Sequence, residues 1–441
     1  MHGALEVTGL LRAHARQSSA ISLLAVAVND GSATLPTAGC GGRISGHLLC
    51  GIAMAPLTFH RVIRCAAWAA CMILAGCAEP AARSALPARG APDIAATAQA
   101  TLPPYRARKA RARPVIAVVA NNAGVEVSDF LVPFAILSRA GTMDVVAVTL
   151  DEGPLATFTD LGSPGFKIAT DTTVAQFDAA QPEGADYVIV AAQAAEPRLL
   201  AWLKQQSAHG ATIVTICNGA LIAAQMGVFD GRRATAHWST SASRAETFPA
   251  IRWTPNRRYV ADGTWISTAG VSAAIPASIA LVEAISGQAK AQELASTLGA
   301  KDWSPQHDSD AFRPRLGTTA WPLAQVLYTN RWLHSGEQID VLGAPGMDEA
   351  TLALTVDAYS TTARSRASVV STTGASFITR HGLVIVPDRQ RERGSTVPLV
   401  APADPMPVPA LNGALDGIMQ RYGRATAKGV ALAFEYPDYP R

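Results

Sequence analysis

Cysteine is almost missing from the part of this chain that reads as folded protein. Of six cysteines, those at 40, 50, 65, 71 and 77 crowd the first 77 residues, and everything after them holds only Cys217. A disulfide framework is therefore excluded for the body of the chain. Charge is sparse as well: 16% of residues are charged, and Lys+Arg 37 against Asp+Glu 34 gives +3. That is far from the concentrated basic field of a dedicated nucleic-acid binder, so no nucleic-acid partner is expected. No apolar run of roughly 18 residues occurs outside the N-terminal region, which excludes a multi-span membrane protein. No Cys/His cluster has metal-ligand spacing, so neither a metal nor another cofactor is implied. What remains is a 441-residue chain, 49% hydrophobic with Gly 35 and Pro 28, long enough at roughly 150 residues per domain for two or three domains.

From Met54 the sequence runs MAPLTFHRVIRCAAWAACMILAGC: Arg61 and Arg64, an apolar stretch of signal-peptide length, then Leu74-Ala75-Gly76-Cys77. This is similar to a bacterial lipoprotein signal, whose small residues admit a peptidase while the thiol takes the lipid. The expectation is a signal peptide over 54–76, lipid on Cys77, and an exported protein anchored to a bacterial membrane and facing the periplasm. An ordinary secretory signal or a short anchor is the alternative, and Cys77 discriminates them. Residues 1–53 then precede the natural start, as an over-extended N-terminus. Residues 77–113, Ala/Pro/Arg-rich and without apolar period, read as a tether. Its Arg106–Arg113 cluster is either a solvated linker beside a membrane or a contact for anionic lipid or nucleic acid.

From Pro114 short β-branched runs alternate with helical stretches: PVIAVVA (114–120), a helix from about Ser128 to Ala140, MDVVAVTL, DYVIVAA, a helix around Arg198 to His209, then ATIVTIC (211–217). Near-continuous apolar strands separated by helices predict an α/β fold with a doubly wound, mostly parallel sheet over 114–300. After a connector (301–335), residues 336–441 hold a partial α/β repeat of that domain plus a C-terminal helix. A slide of 222 residues places Gly346 on Gly124, Asp348 on Glu126 and Val369 on Ala147. A half-sheet cannot cover its own apolar faces, so it should pack on the first domain or on a second subunit, and a homo-oligomer stays open.

The chemistry concentrates in ATIVTICNGALIAAQMGVFDGRRATAHWS (211–239). A buried strand ends at Cys217 and a helix begins within two residues, the layout of a nucleophile elbow, with Gly219 permitting the turn. A thiol facing a helix start meets free N–H groups, which predicts a depressed thiol pKa. His237 falls one helix-plus-strand unit later, near the carboxyl edge, as base, proton carrier or packing residue. Asp129 stands at a probable helix start, where it is either a cap or a proton partner of the thiol.

At these residues the sequence resembles the ThiJ/PfpI family, also described as class I glutamine-amidotransferase-like. The resemblance runs from about Val115 to Gly299 through T-I-C-N-G-A, D-G-R-R-A-T-A-H-W and W-I-S-T-A-G-V-S. It implies a flavodoxin-like sheet, a reactive elbow cysteine (Cys217) and an acid from the first helix bonded to it. Counting back from Arg139-Ala140-Gly141, that acid is Asp129, with Pro133 at the family's helix proline. Implied activities include amide or peptide hydrolysis, isonitrile hydration, glyoxalase-type chemistry and redox-linked chaperone action; some members are sensor domains of AraC-type regulators.

Departures narrow the choice. Asn218 stands where protease-like members carry His, which disfavours peptidase activity. Ala191-Ala192-Gln193-Ala194 replaces a Pro-Gly-Gly turn, leaving Asn218, Gly219 and Gln193 as oxyanion or substrate-binding candidates. Ala274-Ile275-Pro276 replaces a Gly-x-Asp. In the repeat Thr351 takes the place of Asp129 and no elbow follows, so that copy should be silent. The favoured expectation is an enzyme adding Cys217 to a small electrophile, an amide, aldehyde or isonitrile. Against it stand a ligand- or redox-sensing module and a chaperone-like envelope protein.

Overall fold

In the computed structural model the described residues are 102–107, 109–391, 399–400, 406–437 and 439, all within one unit spanning Ile94–Arg441. The signal, Cys77, the over-extended start and most of the tether lie outside the described residues. The first sheet is built from β1 (Val115–Ala120), followed by helix α1 (Val127–Ala140), then β2 (Asp144–Thr149). A hairpin of β3 (Pro154–Phe158) and β4 (Pro164–Ala169) leads to α2 (Val174–Ala180), β5 (Tyr187–Val190), α3 (Pro197–Ala208) and β6 (Thr212–Thr215). Helix α4 (Gly219–Gln225), β7 (Tyr259–Asp262), β8 (Trp265–Thr268), α5 (Ala274–Ser286) and α6 (Gln288–Leu298) complete the domain.

The strands order β7-β8-β6-β5-β1-β2, all parallel except the β7–β8 pair. Counting the parallel strands by chain order gives 2-1-3-4-5, the flavodoxin-like doubly wound topology the sequence predicts. Alternation within β1 divides two cores. Ile116, Val118 and Ala120 face α1 and α5, while Val115, Ala117 and Val119 face Phe177 of α2, Leu199 of α3 and Ile222 of α4. Helix α1 is apolar nearly all round and buried except at Ser138 and Arg139, because it is enclosed by neighbours on every side.

The neighbour on its outer side comes from the later region. There β9 (Glu337–Leu342), α7 (Glu349–Thr361), β10 (Ser365–Ser371), β11 (Phe377–Ile378) and β12 (Val384–Val386) precede α8 (Pro407–Tyr422) and α9 (Arg424–Ala433). Helix α7 packs along α1, and β12 pairs antiparallel with β4 through Val384↔Ala169, Ile385↔Ile168 and Val386↔Lys167. The half-sheet thus covers itself on the first domain of its own chain. The sequence reading has one helix near Leu411–Tyr422, whereas the structure adds α9, broken from α8 at Gly423 (φ 89), and carries the chain back to the first sheet. Among the described residues no helix is long and apolar enough to cross a membrane.

Candidate functional site

Cys217 follows β6 at φ 55, a left-handed conformation rare for a side-chain-bearing residue. The turn is fixed on three sides: Ile216 N donates to Val190 O (2.9 Å), Cys217 N to the Thr268 hydroxyl (3.1 Å), and Gly219 N to Ile216 O (2.8 Å). A Cβ at Gly219 would stand 2.3 Å from Val190 O, so only glycine lets the helix start lie against β5. The sulfur-bearing side chain is sealed, with 2% of the residue exposed.

Asp129 reaches it from α1. Glu126 caps the helix by accepting the Asp129 amide at 2.5 Å, which places Asp129 in the first turn. Its Oδ2 accepts from Ala192 N at 3.3 Å, and its Oδ1 is buried without a hydrogen-bond partner, Cys217 being among the groups that shape its electrostatic surroundings. Burial pushes Asp129 up to about 7, with Asp357 adding repulsion; Ala192, Glu126 and Cys217 hold it back.

The expected depression of the thiol pKa is overturned. Burial pushes Cys217 well up, the nearby charges of Asp129, Asp160 and Glu126 push further, and only the Asn218 amide opposes. Helix α4 is too short, and the carboxyls too many, for its dipole to win. Glu126, Asp160 and Asp357 are likewise raised, burial first. Asp357 arrives from α7: its Oδ2 accepts from Ser128 Oγ (2.7 Å), its Oδ1 from Asp160 N (2.9 Å) and Thr361 Oγ1 (3.2 Å). Glu126, Asp129 and Asp357 are buried and Asp160 half-buried, and carboxyls gathered this way hold their protons to higher pH than free ones do.

Two oxyanion candidates are otherwise engaged. The Gly219 amide is spent on Ile216, as above. Gln193 clasps strand ends: its Oε1 accepts from Asn121 N (2.6 Å), and its Nε2 donates to Val119 O (3.1 Å) and Ala191 O (3.3 Å). Both are corrections with local causes: the Gly219 amide closes the elbow turn itself, and without Pro-Gly-Gly the turn after β5 needs the Gln193 side chain to tie it. Asn218 stays by the sulfur, its Oδ1 accepting from Thr240 Oγ1 at 3.0 Å.

His237 is drawn away from general-base work toward the sulfur. Its Nδ1 accepts from Ser239 N (3.2 Å) and lies 2.6 Å from Ser239 Oγ, and its Nε2 donates to Ala433 O (2.7 Å). These partners fix the neutral Nε2–H tautomer, and burial lowers its pKa, against the Glu435 charge.

Several site residues escape sequence reasoning. Glu435 stands at φ 53, fully buried, accepting from Trp238 N (2.6 Å) and paired with His307 Nε2 (2.8 Å). Burial pushes its carboxyl up, but the His307 bond and charge and the Trp238 N bond offset this and leave it lowered. Arg244, pushed down to about 10 chiefly by burial, lies within electrostatic reach of both Glu435 and Cys217. Asp348, Glu349 and His381 gather potential metal ligands within 4.8 Å of one another. Arg139 and Thr351 N already occupy Asp348, and His381 occupies both Glu349 oxygens, so the group is a closed ion-pair network.

Residues 115–284 match the DJ-1/PfpI family. They carry a DJ-1/PfpI family domain. Among curated proteins the chain is similar to the HTH-type transcriptional regulator CdhR of Pseudomonas aeruginosa, 28% identical over 31% of this chain and 40% of that protein. It is also similar to isonitrile hydratase of Pseudomonas putida, 25% identical over 28% of this chain and 52% of that protein. The chain thus spans about half or less of the length of the curated relatives it matches. Among solved structures, Drosophila melanogaster DJ-1beta matches at 23% identity over 43% of this chain and 100% of that one, TM-score 0.37. An AraC family transcriptional regulator from Pseudomonas putida matches at 22% over 42% and 99%, TM-score 0.35.

Proposed function

We propose that the DJ-1/PfpI domain uses Cys217 to add to a small electrophilic substrate, an amide, aldehyde or isonitrile, in hydration, hydrolysis or lyase chemistry. One observation carries the reading: a cysteine held at φ 55 on an elbow, against a carboxyl whose pKa is about 7. The sulfur bonds to the electrophilic carbon as the S–H proton passes to Asp129 and the C=X or C≡X π bond opens. Asp129 returns the proton to the heteroatom, with the Asn218 amide beside the reacting atoms. Purified protein assayed on aldehydes, amides and isonitriles beside Cys217→Ser tests this; turnover that survives the substitution removes Cys217 from the chemistry.

A second reading, a ligand- or redox-sensing module, is favoured by the sealed thiol and by the likeness to a transcriptional regulator. Ligand-induced stabilisation without turnover selects it. No nucleic-acid role is proposed, on the +3 charge. Two further proposals come from the sequence. Residues 336–441 are a truncated, silent copy of the domain, supported by β9 lying 337 − 115 = 222 residues after β1 and by the matching N-caps Glu126 and Asp348. The chain is lipid-anchored through Cys77; palmitate label that persists in Cys77→Ala, or is missing from wild type, defeats that.

A further inference from the structure

Resting on the thiol reading above, we propose that the hollow now filled by the Glu435 carboxylate is a site for a carboxylate group of the substrate. Residues 432–436 act as the internal ligand that closes it.

Four successive carbonyls and one side chain of this segment are clasped by the first domain. Leu432 O accepts from Trp238 Nε1 (3.1 Å), Ala433 O from His237 Nε2 (2.7 Å), Phe434 O from Ser272 N (3.0 Å) and Glu435 O from Ser272 Oγ (2.7 Å). At the centre the Glu435 carboxylate meets one donor per oxygen, Trp238 N and His307 Nε2, with the side chains of the pair 0% and 3% exposed. Gly270 floors the hollow: a Cβ there would come within 3.0 Å of Glu435 Cγ. Arg244 stands alongside, its Nη1 donating to His237 O and Thr240 Oγ1, and its Nε is buried without a partner. A backbone amide and an imidazole converging on one carboxylate, with a guanidinium nearby, make an anion site.

Two features mark the occupant as a stand-in. Glu435 holds φ 53, a conformation that costs an ordinary residue energy and that the surrounding contacts must impose. Behind the segment lies a cavity of about 370 Å³ lined by Phe312, Arg315, Thr319, Lys428, Leu432 and Tyr436, room into which it can move. The hollow also adjoins the elbow: Cys217 N donates to the Thr268 hydroxyl (3.1 Å), two residues before Gly270, and the Thr240 hydroxyl that donates to Asn218 Oδ1 (3.0 Å) also donates to His237 O (3.1 Å), next to Trp238. A short carboxylate with an electrophilic carbon a few bonds away would seat its charge at Trp238 N and His307 and bring that carbon toward the sulfur.

The test uses the full chain with Glu435→Gly, which tolerates φ 53 and empties the hollow, beside Glu435→Gln, which keeps it filled. Sodium acetate is compared with sodium chloride at equal ionic strength by thermal midpoint. Alkylation of Cys217 by iodoacetate, in which sulfur displaces iodide, is compared with alkylation by neutral iodoacetamide. Acetate should raise the Glu435→Gly midpoint by several degrees over chloride and leave wild type and Glu435→Gln unmoved. The iodoacetate-to-iodoacetamide rate ratio should rise ten-fold or more in Glu435→Gly. Acetate no better than chloride overturns the carboxylate site whatever the thiol does. An acetate shift with Cys217 unlabelled by either reagent keeps the site and sinks the thiol reading. If Glu435→Gly does not fold, Glu435→Asn, which also tolerates this backbone region and leaves part of the hollow empty, carries the same comparison.

Discussion

The Nε2 proton of His237 is donated to the carbonyl of Ala433, 196 residues further along the chain, at 2.7 Å. The other ring nitrogen is held by Ser239, so the imidazole is neutral and turned from the elbow toward the C-terminal segment. Its lowered pKa follows from burial.

That placement has a pH consequence. The folded pKa lies below the unfolded value near 6.5, so the contribution is complete above that value and is lost as pH falls through it toward the folded one. His237→Gln should flatten the loss of stability below pH 6.5. It should cost about 1–3 kcal/mol at pH 8, where the Ala433 carbonyl is left poorly paired. The alkylation profile of Cys217 should stay as in wild type; a shifted profile would return His237 to the chemistry. Chemical denaturation and iodoacetamide kinetics across pH give both readings.

Asp129 has the opposite sign. Its folded pKa of about 7 exceeds the ordinary 3.8, so its stabilising contribution is complete below the unfolded value and lost as pH rises through 7. Asp129→Asn keeps an acceptor for Ala192 N and removes the titration. The variant should be more stable than wild type at pH 8, by about 2–4 kcal/mol. The gain should vanish near pH 4. A variant less stable at pH 8 would show that the charge is welcome there.

The sheet and the elbow were legible in the sequence because both depend on neighbouring residues. β1, β5 and β6 are unbroken apolar runs, and Cys-Asn-Gly-Ala after a strand has few other local solutions. Asp129 could be placed because a helix start is also local. Glu435 and Asp357 could not. Each reaches the site only after the later region has packed on the first domain, and no spacing along the chain records that α7 lies against α1. The thiol pKa runs against the expectation for another reason: burial, together with carboxyls from two separate stretches (126–129 and 160), outweighs one short helix.

Gly219 is where local geometry is least forgiving. Gly219→Ala puts a Cβ 2.3 Å from a backbone oxygen of β5, which cannot rotate away. The expected loss is about 3 kcal/mol or more, beyond ordinary overpacking. Thermal denaturation measures it, and a change under about 1 kcal/mol would mean that the elbow shifts freely.

Asp357 tests whether the later region tunes the elbow or only covers it. Its carboxylate takes the Ser128 hydroxyl and the Asp160 amide, and its charge helps to raise Asp129. Asp357→Ala should cost about 2–3 kcal/mol by stranding those donors, and Asp357→Asn, which retains an acceptor, about 1 kcal/mol or less. Both should lower the Asp129 pKa from about 7, moving the pH at which stability begins to fall toward acid. If the substitutions destabilise the fold and leave that midpoint in place, α7 only packs against the site and has no hold on its protons.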